Sequence, residues 1–472
     1  MGTRLEHALI LLITISSMAA VLGTIDAEVE EPNYFSGAIK IEGRNISVPE
    51  GFETTGSGTL EDPLIIGPVW LNNTDGPAIS VRNSSAHIII RSAAATFGIW
   101  NRSDGIFVAN STNVTLVDCY VQNCYIGLHI DNSTGVQAVG CDLSGNRYGV
   151  LARKSPLTSI RDCSMNGNLI DGVLMEDSAN CTLSYCQLIS NSARISNDAA
   201  VRAVRSSGFI VQGCEIRMNY GTGIFFQGPM ADSIAMDCDI NYNNEGLILS
   251  DCRHARVQGI ELIINMKAMV LEGLRHCTFS DSFVYRNGEG ILLNSVEESY
   301  FSRMEFLECG YGLDVRDSHS NMFDNNSFEG TRSFDIVLGD PDDETLSSDH
   351  NVLIGNLFQK DSKVLPSVHD HGTGNIWDLD GSGNTWSGSQ LVDEDADEVG
   401  DQPFRINGTA GSADHFPRTD FLKEPEGGEN TPDTEKVEDN KEGQLLVLFV
   451  AVLVAVLLLM LLTLVTGARD GR

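Results

Sequence analysis

Between residues 105 and 349, apolar residues alternate with polar ones in short runs closed by Gly, Asn, Asp or Ser. Alternation of period two marks a half-buried strand, and no stretch between the chain ends carries the stripe of an amphipathic helix. The runs also repeat. A glycine returns every 22 or 23 residues, at Gly105, Gly127, Gly149, Gly172, Gly223, Gly246, Gly290 and Gly312, with skipped beats at Ala200, Ala268 and Phe334. A repeat of this length signals a coil of stacked units.

Counting each glycine as zero, positions 1 and 3 are apolar (Ile106/Val108 to Leu313/Val315), as are position 11 (Leu116, Ala138, Ile160, Leu183, Val211, Ile234, Val257) and position 16 (Val121, Leu143, Met165, Leu188, Ile216). Strand side chains alternate faces, so positions 1, 3, 11, 14 and 16 point inward from three short strands per turn. The expected fold is an all-β, right-handed parallel β-helix with rungs ~4.8 Å apart. Weaker turns at 77–81 and 87–90 extend it toward the N-terminus, and a five-residue excess near Ala193–Asn197 predicts a bulging loop.

Position 14 carries Cys119, Cys141, Cys163, Cys186 and Cys214, with Cys238 one place later in a lengthened rung. Parallel stacking runs the Cβ vectors side by side instead of converging, so the column reads as buried thiols and not as disulfides. Position 19 is often Asn (Asn146, Asn168, Asn191, Asn219, Asn287), which predicts a ladder of stacked amides at a turn.

Outward positions hold the candidate chemistry. Position 4 places Asp131, Arg153 and Glu176 on consecutive rungs, with His129 and Arg202 at position 2. Carboxylates around a cation would serve a lyase or hydrolase, and alternating charges on stacked strands are equally a stabilising ladder. Position 2 otherwise forms an apolar stripe of Phe107, Leu151, Leu174, Phe225, Ile248, Val270 and Leu292. Such a stripe marks a binding face for a surface protein or a sugar chain, unless a loop or the 350–420 segment folds over it.

The ends set the compartment. Ala8 to Leu22 is apolar and short, which makes residues 1–27 a signal peptide, with small residues at Ala19, Ala20 and Ala27. Leu445 to Thr466 is uncharged and long enough to span a bilayer, and Arg469 and Arg472 follow it. The expected order is signal peptide, β-helix (28–348), C-terminal cap (349–418), acidic stalk (419–444), transmembrane helix (445–466) and cytoplasmic tail (467–472). That is a single-pass cell-membrane protein with an extracellular ectodomain. Sequons at Asn45, Asn72, Asn83, Asn101, Asn110, Asn113, Asn132, Asn180, Asn325 and Asn407 are glycosylation candidates. A net charge of −34 excludes nucleic acid as a partner.

Past Asp349 the beat fades. The chain reads Gly374-Asn375-Ile376-Trp377 and Gly383-Asn384-Thr385-Trp386-Ser387-Gly388, then an acidic run from Asp393 to Asp401, then Asp414-His415-Phe416-Pro417. This order resembles the closing region of the NosD-like β-helix family, archaeal surface members above all. Gly56-Ser57-Gly58-Thr59 through Asp62-Pro63-Leu64 resembles that family's opening segment. The resemblance covers roughly residues 36 to 418. It implies a β-helix in a surface or periplasmic setting, with either a copper-accessory role or carbohydrate binding and hydrolysis. Asp393, Asp395, Asp397 and Asp401 are the candidate ligands of a hard cation, Ca²⁺, although Glu398 stands where such a loop wants glycine. His369 and His371 are the copper candidates, without a visible third ligand. The expectation is a non-catalytic surface protein for adhesion, display or carbohydrate binding, set against a polysaccharide lyase or hydrolase and a copper accessory.

Overall fold

The computed structural model describes residues 34–72, 76–96, 103–192, 198–343, 346–359, 367–389 and 391–419. The expected signal peptide, the 193–197 excess, the expected stalk and the 445–466 segment lie outside the described residues. Among those described, no helix is long and apolar enough to cross a membrane.

The chain winds as a right-handed parallel β-helix. Three sheets run its length. Sheet one, after each glycine, has fifteen strands; sheet two, around position 11, has thirteen; sheet three is split into four strands and nine. Successive turns pair in parallel and in register, as in Val150↔Val173, Ala152↔Met175 and Arg153↔Glu176. The early turns join the stack, with Ile79 beside Ile106 and Ile88 beside Val114.

The glycines are where rungs come closest. A Cβ on Gly149 would meet the Gly172 carbonyl oxygen at 2.5 Å, and one on Gly172 would meet that of Ala200 at 2.7 Å. Inward positions are filled and dry: Val173, Met175, Leu183 and Leu188 are all fully buried. One inward residue differs from the expected pattern. Val211 stacks on Ala235, so Ala235 and not Ile234 enters the core. The register slips earlier, between Gln227 and Met230, at the Gly228–Pro229 step.

Turns are held by side-chain ladders. The amide oxygen of Asn168 accepts from the Asn146 N–H at 2.8 Å, and the pattern repeats through Asn191, Asn219, Asn243, Asn265 and Asn287. A serine ladder, which the repeat did not reveal, runs from Ser111 through Ser133, Ser155 and Ser178 to Ser206. All eleven cysteines are free and buried. The column doubles as a weak ladder, because the Cys141 N–H donates to Cys163 Sγ at 3.3 Å. Burial pushes Cys252 up to about 12 and Cys277 to about 11, which leaves these thiols protonated and inert.

The coil does not stop at residue 349. Val352–Ile354, Leu357–Gln359 and Val368–Asp370 continue all three sheets, and a long connection merely hides the beat. The closing element is an aromatic stack of buried Phe328, Phe358 and Trp386 covered by half-buried Phe404, with ring centroids 5.2, 4.6 and 4.0 Å apart. Buried Asp414 accepts from the Asn384 N–H and the Trp386 indole, ending a second, shorter ladder that runs through Asn326, Asn356 and Asn384.

Candidate outer-face site

Position 2 forms one continuous column on sheet one: Phe107, His129, Leu151, Leu174, Arg202, Phe225, Ile248, Val270 and Leu292. It is not an open stripe. Leu151 and Leu174 are buried at 3% and 6% exposure, in a cluster outside the main core with Ile126, Tyr125, Tyr148 and Val204. Phe107, Phe225, Ile248, Val270 and Leu292 are half-buried. Long side chains of adjacent columns lie over the leucines, which the alternation alone could not show.

The charged quartet separates. Arg153 pairs with Glu176, both partly exposed, and Asp131 lies beside Arg153 in register. Arg202 turns away toward Asp171 at 3.7 Å and Asp198 at 3.8 Å. Neither aspartate belongs to the expected set. Asp171 sits just before Gly172 with its carboxylate buried, and it accepts from the Ala199 N–H at 2.8 Å. Burial raises Asp171 to about 7, against the opposing pull of Arg202. Tyr148 and Glu176 also face it, and Tyr148 is itself raised by burial. The residue before each glycine was the available signal: Asp104, Tyr148 and Asp171 all occupy that place.

One end of this column is aromatic and basic. His129 Nδ1 lies 2.7 Å from Asp104, and its ring packs on Phe107 at 4.7 Å. The Arg82 guanidinium covers the Phe107 ring at 4.4 Å, and that of Arg147 covers Tyr125 at 5.0 Å. Ser80 stacks between Lys40 and Phe107. The column therefore runs into a cavity of about 570 Å³ lined by Lys40, Glu42, Pro77, Ser80 and Arg82.

Two metal candidates fare differently. Asp393, Asp395 and Asp401 bring carboxylate oxygens within 4.8 Å of one another. Asp397 instead caps the Val399 N–H, and its charge raises Asp395. Glu398 does adopt a left-handed φ of 68°, the conformation for which glycine was wanted. Three carboxylates are a partial set for Ca²⁺, which takes about six to eight oxygens. The His369 and His371 rings stack 6.2 Å apart, but Asp370 between them is buried and bonds Trp377, Asn375, Gly372 and Ser412. That carboxylate belongs to the fold and is not available to an ion. Of the sequons, Asn45, Asn83, Asn110, Asn113, Asn132, Asn180, Asn325 and Asn407 are exposed, and the Asn72 side chain and Asn101 lie outside the described residues.

A parallel β-helix with three in-register sheets defines the class of the protein. The family model described as periplasmic copper-binding protein (NosD) matches residues 69–269 and 230–390. The chain belongs to the NosD family. No curated protein matches it. Among solved structures it is similar to the periplasmic alginate epimerase AlgG at 10% identity and a TM-score of 0.43, over 68% of this chain and 85% of that one. It is also similar to the Azotobacter vinelandii mannuronan C-5 epimerase AlgE6 A-module (12%, 0.46, over 70% and 91%). Bacteriophage CBA120 tailspike protein 3 matches at 13% and 0.48, over 65% and 52%.

Proposed function

We propose that the protein is an exported, membrane-anchored β-helix that holds a carbohydrate chain along the outer face of sheet one, from the Lys40 cavity to Arg202. The observation that carries this reading is the meeting, on one face, of ring surface from Phe107, Tyr125 and Tyr148 with the fixed Asp171–Arg202–Asp198 group. Sugar rings offer an apolar C–H face and a rim of hydroxyls, and a largely apolar strip with a few convergent polar groups suits both. Asp171 has the proton affinity of an acid–base group at neutral pH. Its carboxylate is nevertheless out of solvent contact, behind Arg202, and there it orients the guanidinium. The reading proposed is therefore binding without cleavage. A copper-accessory role is the weaker reading for His369 and His371, because Asp370 is committed to the cap.

Glycan-array binding by the purified full-length protein tests the proposal. The double variant Phe107→Ala, Tyr125→Ala is expected to weaken binding at least tenfold. Unchanged binding overturns the placement on this face. Release of reducing ends that disappears in Asp171→Asn would replace binding with catalysis.

A further inference from the structure

Five large apolar side chains gather in the turn that carries the chain from sheet three back to sheet one. Met218 and Tyr220, then Tyr242, then Ile264 and Met266 are 52%, 74%, 40%, 38% and 62% exposed. They flank Asn219, Asn243 and Asn265 of the asparagine ladder, so they sit on three consecutive rungs. The backbone fixes their spacing, since the N–H of Met218, Tyr242 and Ile264 donates to the carbonyl of Asn241, Ile263 and Tyr285 in turn, each at 3.0 Å. The turn itself does not ask for apolar residues. The place of Met218, Tyr242 and Ile264 is held by Gly145, Gly167 and Ser190 on earlier rungs and by Arg286 and Glu308 on later ones. Tyr120, Leu157 and Tyr185 are also exposed, but they fall at three different places of the repeat.

Charge and composition narrow what can cover this corner. Tyr and Met are the side chains enriched at the centre of protein–protein contacts. The charges at the rim are already paired: Arg217 with Glu215, Lys267 with Glu289 at 3.3 Å, and Arg286 with Glu308. The corner is thus locally neutral on a chain of net charge −34. Two such acidic chains repel at long range, and they approach each other at least cost where the surface is neutral and apolar. No sequon falls between Asn180 and Asn325, so these rungs offer no attachment point for an N-linked glycan that would hold a second chain off.

The arrangement is also self-complementary. Tyr242 occupies the middle rung, and a pair of apolar side chains lies on the rung to either side. A two-fold axis through Tyr242, perpendicular to the coil, sets Met218 and Tyr220 of one copy on Ile264 and Met266 of the other, and the reverse, as an isologous contact requires. Side chains this exposed offer on the order of 500 Å² per copy, so the pair buries about 1,000 Å², the lower end for a specific interface. We propose that this corner is a homodimer interface at which two copies pack antiparallel about Tyr242. The contact lies off the face of sheet one assigned to the sugar chain and rests on none of that reading.

Sedimentation velocity of the purified full-length protein in mild detergent tests the proposal. A monomer–dimer equilibrium with a dissociation constant on the order of 10 µM is expected, and salt should tighten it about threefold by screening the acidic chains. Met218→Ser with Met266→Ser should raise that constant about tenfold. The melting temperature of this variant should not change, because both side chains stand in solvent. Leu157→Ser, comparably exposed on another turn, should leave association unchanged. Met218→Cys with Ile264→Cys should link the copies on mild oxidation, whereas Met218→Cys alone should not. A monomer at every concentration up to about 100 µM overturns the proposal, as does a dimer that survives the double serine variant or one that salt dissociates. Linkage through Met218→Cys alone overturns the antiparallel arrangement.

Discussion

The rungs before and after Gly223 share one backbone and differ in what they do with it. Before Gly223 the core columns are small or aliphatic apart from Phe209, with cysteines and serines in ladders, while the outer face of sheet one holds Arg202, Asp171, Asp198, His129 and Tyr148 in contact with one another or with apolar rings. After it the core is a pile of phenyl rings, Phe279–Phe301–Phe323 at 4.7 and 5.0 Å, and the outer column reads Phe225, Ile248, Val270, Leu292. The half with the bulkier core has the plainer face. Stacking constrains only what points inward, so variety outside comes at little cost to the coil, and the proposed binding face lies where the outer columns are irregular.

Replacing a stacked ring should break this contrast most forcefully. Phe301→Ala leaves a cavity between two rings and is expected to cost about 3–5 kcal/mol, whereas Cys163→Ala in the other half should cost about 1–2. Urea unfolding of both variants checks the difference, and equal losses would mean that the two cores are alike. A pH series sharpens the contrast at the charged face. Asp171 is raised by burial from 3.8 to about 7, so the folded state holds a proton that the unfolded state has released between those values. Its contribution therefore falls as pH rises through that window and is flat above it, by up to ~4 kcal/mol in the limit of the full shift. Asp171→Asn should remove that slope, visible as a melting temperature that declines less between pH 4 and about 7. The smallest effect belongs to the ladder. Arg153→Gln breaks a partly exposed pair with Glu176 and should change stability by less than about 0.5 kcal/mol.

The coil was legible because its period and its inward alternation are both local. Gly149, Val150 and Ala152 sit where the pattern puts them. Ile234 did not, because a slip at Gly228–Pro229 adds a residue within a strand that still reads as alternating. The site was only half legible. Arg202 is visible as an outward cation, but its partners Asp171 and Asp198 lie in the turn before sheet one, where no alternation assigns a direction. Leu151 and Leu174 seemed to face solvent because their strand positions do; what covers them comes from neighbouring columns.

The plug of Trp386, Phe404 and Asp414 has a consequence for the protein's behaviour in company. A stack of parallel strands can in principle grow without limit, since its last rung offers the same row of amide donors and carbonyls to any similar strand that follows. Here Asp414 takes the final amide donor of the Asn326–Asn356–Asn384 ladder, and the ring pile is roofed by Phe404. A molecule cut before residue 384 would present a raw template, and fibre growth, not loss of a ligand, would be its first failure.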